Sequence, residues 1–243
     1  MAKTKLDIVY VDEQLIVVNK PPGTLSIPDR FKAEIPNLKS MLTAAYGEVY
    51  TVHRIDKYTS GVIVFARDAE SHRYLSNLWM DRKPEKYYLA VVDGVPREEE
   101  GTIDLALTES MARRGKMLAH ARGKESKTSY KVVEKFGQSF SLVDVRIYTG
   151  RMHQIRVHMA EIGHPLVVDE LYGRRSAFKV SEIKGRKYNL RKDEEERPLI
   201  DRQSLHAARL VIEHPTTQEM MTFEAALPKD MRALINQLRK NCS

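Results

Sequence analysis

The longest stretch of this sequence free of Asp, Glu, Lys and Arg is only nine residues, 58–66. That is about half of the ~18 apolar residues a spanning helix needs, so no membrane segment is expected. The core must instead be assembled from short strands and amphipathic helices. At the start, Lys3, Lys5 and Asp7 flank Leu6 and interrupt the apolar core of a signal peptide, which argues against export. The single cysteine, Cys242, excludes an intrachain disulfide and a thiolate zinc cluster. It points to a reducing compartment, the cytoplasm. A chain of 243 residues fits one large domain or two small ones.

Periodicity divides the chain into elements. Ile8-Val9-Tyr10-Val11 and Leu15-Ile16-Val17-Val18 are β-branched runs around a polar turn and read as a hairpin, which Lys20-Pro21-Pro22-Gly23 ends. Leu38, Met41, Leu42 and Ala45 recur at helical spacing before Gly47. Residues 49–55, 61–66, 87–92, 103–107, 128–134, 140–148, 205–213 and 220–226 read as strands, and 69–80 as a helix. From Arg151 to Ile162 an apolar stripe of Met152, Ile155, Met159 and Ile162 predicts an amphipathic helix. A last helix follows Pro228. Without an internal repeat or a low-complexity linker, residues 1–243 read as one α+β domain, a mixed, largely antiparallel sheet with flanking helices. Residues 174–202 read as an inserted, mostly solvated loop.

Forty Lys or Arg against 33 Asp or Glu give a charge of +7 and suggest a polyanionic partner. The excess is partly localised. Residues 113–131 carry seven basic side chains, among them Arg113, Arg114 and Lys116, against the one acid Glu125. The bland reading of such a run is a solvated face.

Two segments hold residues able to do chemistry. His53-Arg54-Ile55-Asp56-Lys57-Tyr58-Thr59-Ser60-Gly61 puts base, cation, carboxylate and hydroxyls at a strand-to-loop passage, where alternation sets Arg54 and Asp56 on one face. A surface salt bridge and a turn would use the same residues. Gly150-Arg151-Met152-His153-Gln154-Ile155-Arg156-Val157-His158 lies at a helix start, where Arg151, His153, Gln154 and backbone donors could hold an anion or amide. His153, His158 and His164 are spaced by five and six residues, which places them on different faces and discourages a metal site. Neither a dinucleotide-binding nor a phosphate-loop glycine motif occurs, so no nucleotide cofactor is expected.

The string His53-Arg54-Ile55-Asp56-x-x-Thr59-Ser60-Gly61 resembles the signature of the RluA-type RNA pseudouridine synthases. Lys20-Pro21-Pro22-Gly23, Lys86-x-Tyr88-x-Ala90, the Arg151–Arg156 motif, Gly163-His164-Pro165, Tyr172-Gly173, Leu205-His206-Ala207 and His214-Pro215 follow in that family's order. Ile55, Met152 and Val168 depart from its usual residues. The resemblance implies a cofactor-free, metal-free isomerisation of uridine to pseudouridine in ribosomal or transfer RNA. Asp56 would be its carboxylate, acting as nucleophile at C1′ or as base at C2′, and a positioned cation would favour its charged form. Arg156 is implied as that cation and Tyr88 as the tyrosine that packs on the base and assists removal of the C5 proton. Arg54 is suited to fill the gap left by a flipped uridine. Lys20, Thr59, Arg151, His153 and the basic run would contact RNA.

Many relatives carry an N-terminal S4 module, which is not expected before a hairpin that begins at Ile8. A monomer is the default. Two other readings use the same residues: an RNA-binding or ribosome-assembly factor with incidental catalysis, and a glycosidase, which would need a second carboxylate across a cleft.

Overall fold

The computed structural model describes residues 6–32, 34–185 and 195–242. Along the chain run β1 (Ile8–Val11), β2 (Leu15–Lys20), α1 (Leu38–Tyr46), β3 (Tyr50–Thr51), β4 (Ser60–Ala66), α2 (Ala69–Met80) and β5 (Glu85–Asp93). Then follow β6 (Glu100–Asp104), β7 (Leu107–Glu109), β8 (Met117–Ala119), β9 (Lys127–Phe136), β10 (Phe140–Ile147) and α3 (Gln154–Glu161). The last elements are α4 (Val180–Lys184), β11 (Leu205–Glu213), β12 (Met220–Glu224) and α5 (Lys229–Asn241). They divide between two compact units, residues 1–88 with 206–226, and residues 89–205 with 227–243.

In the first unit β2 pairs antiparallel with β1 and β4, β3 with β4, and β11 with β12. β4 and β11 meet in parallel at Ser60–His206 and Gly61–Ala207. The nearly unbroken apolar run of β4 has a simple cause: both faces of the sheet are covered. Leu15, Val17, Val62, Val64 and Ala66 pack with Leu75 and Leu78 of α2, while Ile16, Val18, Ile63 and Phe65 pack with Leu38 and Leu42 of α1. Alternation along β2 and β4 thus assigns each residue to one helix or the other. Asn37 and Asp68 cap the two helices by accepting from the N–H groups of Ser40 and Ser71.

In the second unit the strand order is β5-β10-β9-β6, with β9 antiparallel to both its neighbours β10 and β6, and β7 and β8 forming a separate hairpin. Helix α5 buries Met231, Leu234, Ile235 and Leu238, the i, i+3, i+4, i+7 set of one helical face. They join Val91, Phe140, Val167, Phe178 and Ile200 in one core. Arg202 grips Asp230 in the first turn of α5 through Nε and Nη2, at 2.6 and 2.9 Å.

Several elements differ from the sequence reading. The strand expected at 49–55 is only two residues long, and residues 52–56 run on without ladder partners among the described residues. The strand expected at 103–107 is split between β6 and β7. Helix α3 starts at Gln154, three residues late, because His153 adopts a left-handed backbone of φ +55°. Nor is α3 amphipathic: residues 154–159 are all buried, Gln154, Arg156 and His158 among them. The 174–202 segment is not a solvated loop throughout. Phe178 and Ile200 pair across its base and are fully buried, and α4 lies within it. Residues 186–194 of that segment lie outside the described residues.

Candidate active site

Asp56 stands where β3 has ended and β4 has not begun, so its position depends on side chains that hold the backbone around it. Buried Ser26 clamps the preceding residue, its hydroxyl donating to the Ile55 carbonyl at 3.0 Å and accepting the Ile55 N–H at 3.3 Å. On the other side the Lys57 carbonyl accepts from the Gly23 N–H and from Lys20 Nζ, both at 2.9 Å. Thr59 closes the turn by donating its N–H to the Asp56 carbonyl. The Lys20-Pro21-Pro22-Gly23 turn therefore fastens the Asp56 segment.

This corrects two expectations. Lys20 is fully buried, and its ammonium also donates to the carbonyls of Pro21 and Thr24. A charge so enclosed is spent on the backbone and is not presented to RNA phosphate. Thr59 is also buried and belongs to the turn rather than to a surface. Arg54, in contrast, is exposed, and Asp56 is half-buried. Ser26 escaped the sequence reading because nothing local marks a serine whose partner is 29 residues away.

Gly61 follows with φ +117°, and a Cβ there would lie 2.1 Å from the Ala207 carbonyl oxygen. Only glycine allows β11 this close. Beside it Ser60 Oγ bonds His206 Nδ1 at 2.9 Å, and His206 Nε2 donates to the Ala225 carbonyl. The bond to Ala225 fixes the proton on Nε2 and leaves Nδ1 to accept from Ser60 in the neutral ring.

Tyr88 packs on the core cluster that contains Ile55, Val62 and Trp79. Burial, reinforced by the charge of Asp56, pushes its phenol far above the usual range, so it keeps its proton at neutral pH. Tyr87 donates to Glu85 and carries the Arg209 guanidinium 4.0 Å above its ring, while Tyr88 takes the apolar side. His53 stacks on Trp79 at 4.8 Å, and its Nε2 accepts the Val64 N–H at 3.2 Å. Burial, with the charge of Lys86, lowers its pKa to about 3, so the ring is neutral.

In the second unit Arg156 lies under the sheet with a 3% exposed side chain. Nε and Nη2 donate to the two Asp169 oxygens at 2.6 and 2.9 Å, a bidentate fork. With its amide oriented to accept, Gln203 takes Nη1 and Nη2 at 3.2 Å. The guanidinium also lies 5.0 Å above the Tyr172 ring. Asp169 is held in turn by the N–H groups of Leu171 and Tyr172. The Tyr172 hydroxyl accepts the Met117 N–H and bonds His153 Nδ1 at 2.8 Å. Arg151 is half-buried and donates Nε to the Glu125 carbonyl. Gln154 spans Thr149, Thr128 and the backbone of Arg151 and Lys127, so it is a structural tie and not an amide site. Arg113 and Arg114 are exposed on the β7–β8 hairpin, and Lys116 is half-buried with its ammonium 5.9 Å from the Tyr172 ring.

Each histidine weighed for a metal has a protein partner: Tyr172 for His153, Thr128 and Leu105 for His158, and Asp93 for His164. Among the described residues no cluster of three or more His, Cys, Asp or Glu is suited to a metal ion. No helix among them is long and apolar enough to cross a membrane.

This α+β architecture, with its mostly antiparallel strands, is the fold of pseudouridine synthases. It superimposes on Human RNA Pseudouridylate Synthase Domain Containing 4 with a TM-score of 0.73 at 24% identity, covering 96% of this chain and 93% of that one. For Human RNA Pseudouridylate Synthase Domain Containing 1 the TM-score is 0.67 at 26% identity, covering 97% and 95%. The RNA pseudouridylate synthase family model matches residues 14–161. The chain is 38% identical to "Uncharacterized RNA pseudouridine synthase YlyB" of Bacillus subtilis, over 97% of this chain and 74% of that protein. It is 36% identical to "Dual-specificity RNA pseudouridine synthase RluA" of Escherichia coli K12, over 90% and 92%. The chain belongs to the RNA pseudouridylate synthase family, and its reaction is an isomerisation.

Proposed function

We propose that the enzyme converts uridine to pseudouridine in structured ribosomal or transfer RNA with Asp56 as its carboxylate. The observation that carries this reading is the backbone clamp around Asp56. A half-buried carboxylate whose neighbours on both sides are bolted down by Ser26, Gly23 and Lys20 is preorganised for chemistry. In the reaction the N1–C1′ bond breaks, the uracil turns, and a C5–C1′ bond forms. The proton on C5 then leaves and N1 finishes protonated. Asp56 acts as nucleophile at C1′ or as base at C2′. Tyr88, kept neutral, packs on the base and offers a hydroxyl for the C5 proton's path. The family resemblance assigns the site's cation to Arg156, whose buried guanidinium is held in one orientation by Asp169.

The uridine is flipped from its stack at a cost of a few kcal/mol, and exposed Arg54 fills the gap it leaves. Exposed Arg113 and Arg114, with Lys116, Arg151 and His153, bind the surrounding RNA. Ribosomal RNA is supported by a relative named "Ribosomal large subunit pseudouridine synthase D" of Zymomonas mobilis, 34% identical over 96% of this chain, and more than one RNA by the dual-specificity relative. The free Cys242 suits the cytoplasm.

RNA carrying tritium at uridine C5 tests the reading, with ribosomal and transfer RNA assayed separately. Wild type releases tritium and Asp56→Asn releases none while melting as wild type does. Binding without release from either RNA favours an assembly factor instead.

A further inference from the structure

Lys86 lies on β5 two residues before Tyr88, hence on the same side of the strand, and the proposed reaction uses only the tyrosine. It is half-buried and, among the described residues, makes no hydrogen bond or ion pair. Its surroundings add to the cost. Arg82, which follows α2 with a left-handed φ of +58°, repels it, and His53 on the segment leading to Asp56 is neutral and offers no negative charge. On its own strand Glu85 accepts from Tyr87. A withdrawn ammonium without an acceptor disfavours the fold, and a bound anion would supply its counter-charge. We infer that Lys86 is a binding site for one phosphate of the RNA strand that carries the target uridine.

The inference rests on the proposed reading of Asp56 and Tyr88 as the uridine site. Burial, with the Arg82 charge, already lowers the Lys86 pKa to about 8, so the free enzyme would release this proton within the working range. A phosphate would hold the proton on, and the site would weaken as pH rises through 8.

RNA affinity is measured by filter binding with a transfer RNA transcript and with a ribosomal RNA hairpin transcript. Asp56→Asn serves as the background throughout, so turnover does not intervene. Adding Lys86→Met, which keeps the apolar stem, weakens binding about tenfold at pH 7. It also lowers the salt slope by about 0.7, the share of one phosphate on a single strand. The Lys86→Arg variant restores both. The loss of affinity between pH 7 and 9 disappears in both Lys86 variants, because neither side chain titrates there. Lys86→Met melts no lower than its background, which separates loss of contact from loss of fold. Equal affinity and equal salt slope with and without the lysine would overturn this inference alone. An Asp56→Asn background that binds neither RNA would overturn it together with the proposed function.

Discussion

Asp169 receives both Nε and Nη2 of Arg156, at 2.6 and 2.9 Å, with the two side chains 0% and 3% exposed. A guanidinium so deep is tolerable only while its partner is charged. Asp169→Asn is expected to lower stability by about 3–5 kcal/mol in chemical denaturation, because it strands a buried cation. Arg156→Lys is not conservative here, since an ammonium cannot satisfy both carboxylate oxygens in one plane.

Gly61→Ala tests the close approach of β4 and β11. The added methyl must displace the Ala207 backbone and also adopt φ +117°. A loss of about 3 kcal/mol or more is expected in thermal or denaturant unfolding.

Lys20→Met leaves the carbonyls of Pro21, Thr24 and Lys57 without their shared donor. Turnover falls because the Asp56 segment loses an anchor, whereas RNA affinity is unchanged because the ammonium never faced RNA. A kcat and Kd pair measured on this variant separates positioning from phosphate binding.

His53 couples stability to acid. Its folded pKa of about 3 lies below the ordinary 6.5, so the unfolded chain binds the extra proton first. The stability it contributes is complete above about 6.5 and is lost as pH falls towards 3, at up to about 1.4 kcal/mol per pH unit. His53→Gln keeps an acceptor for the Val64 N–H and is expected to flatten that slope in denaturation curves collected from pH 7 to 4.

Tyr88→Phe removes the hydroxyl and keeps the packing. The expected outcome is a fall in kcat of roughly 10²–10⁴ with little change in KM. Since the wild-type phenol stays protonated far above neutrality, no tyrosine limb is expected in the kcat profile up to pH 9.

Local pattern was enough to place α2, α5, β4 and the β9–β10 hairpin, because each has the spacing of a surface with one or two buried faces. The ordered motifs singled out Asp56, Tyr88 and Arg156 as the candidate site residues. Tertiary structure decided what those residues meet. It gave Arg156 to Asp169, sank Lys20 beneath three carbonyls, enclosed every side of α3 over residues 154–159, and left Lys86 half-buried without a partner among the described residues. The reason is physical. Periodicity along a chain reports which side of an element is apolar, but the cost of burying a charge is set by groups brought beside it from distant segments, and those appear only once the chain has packed.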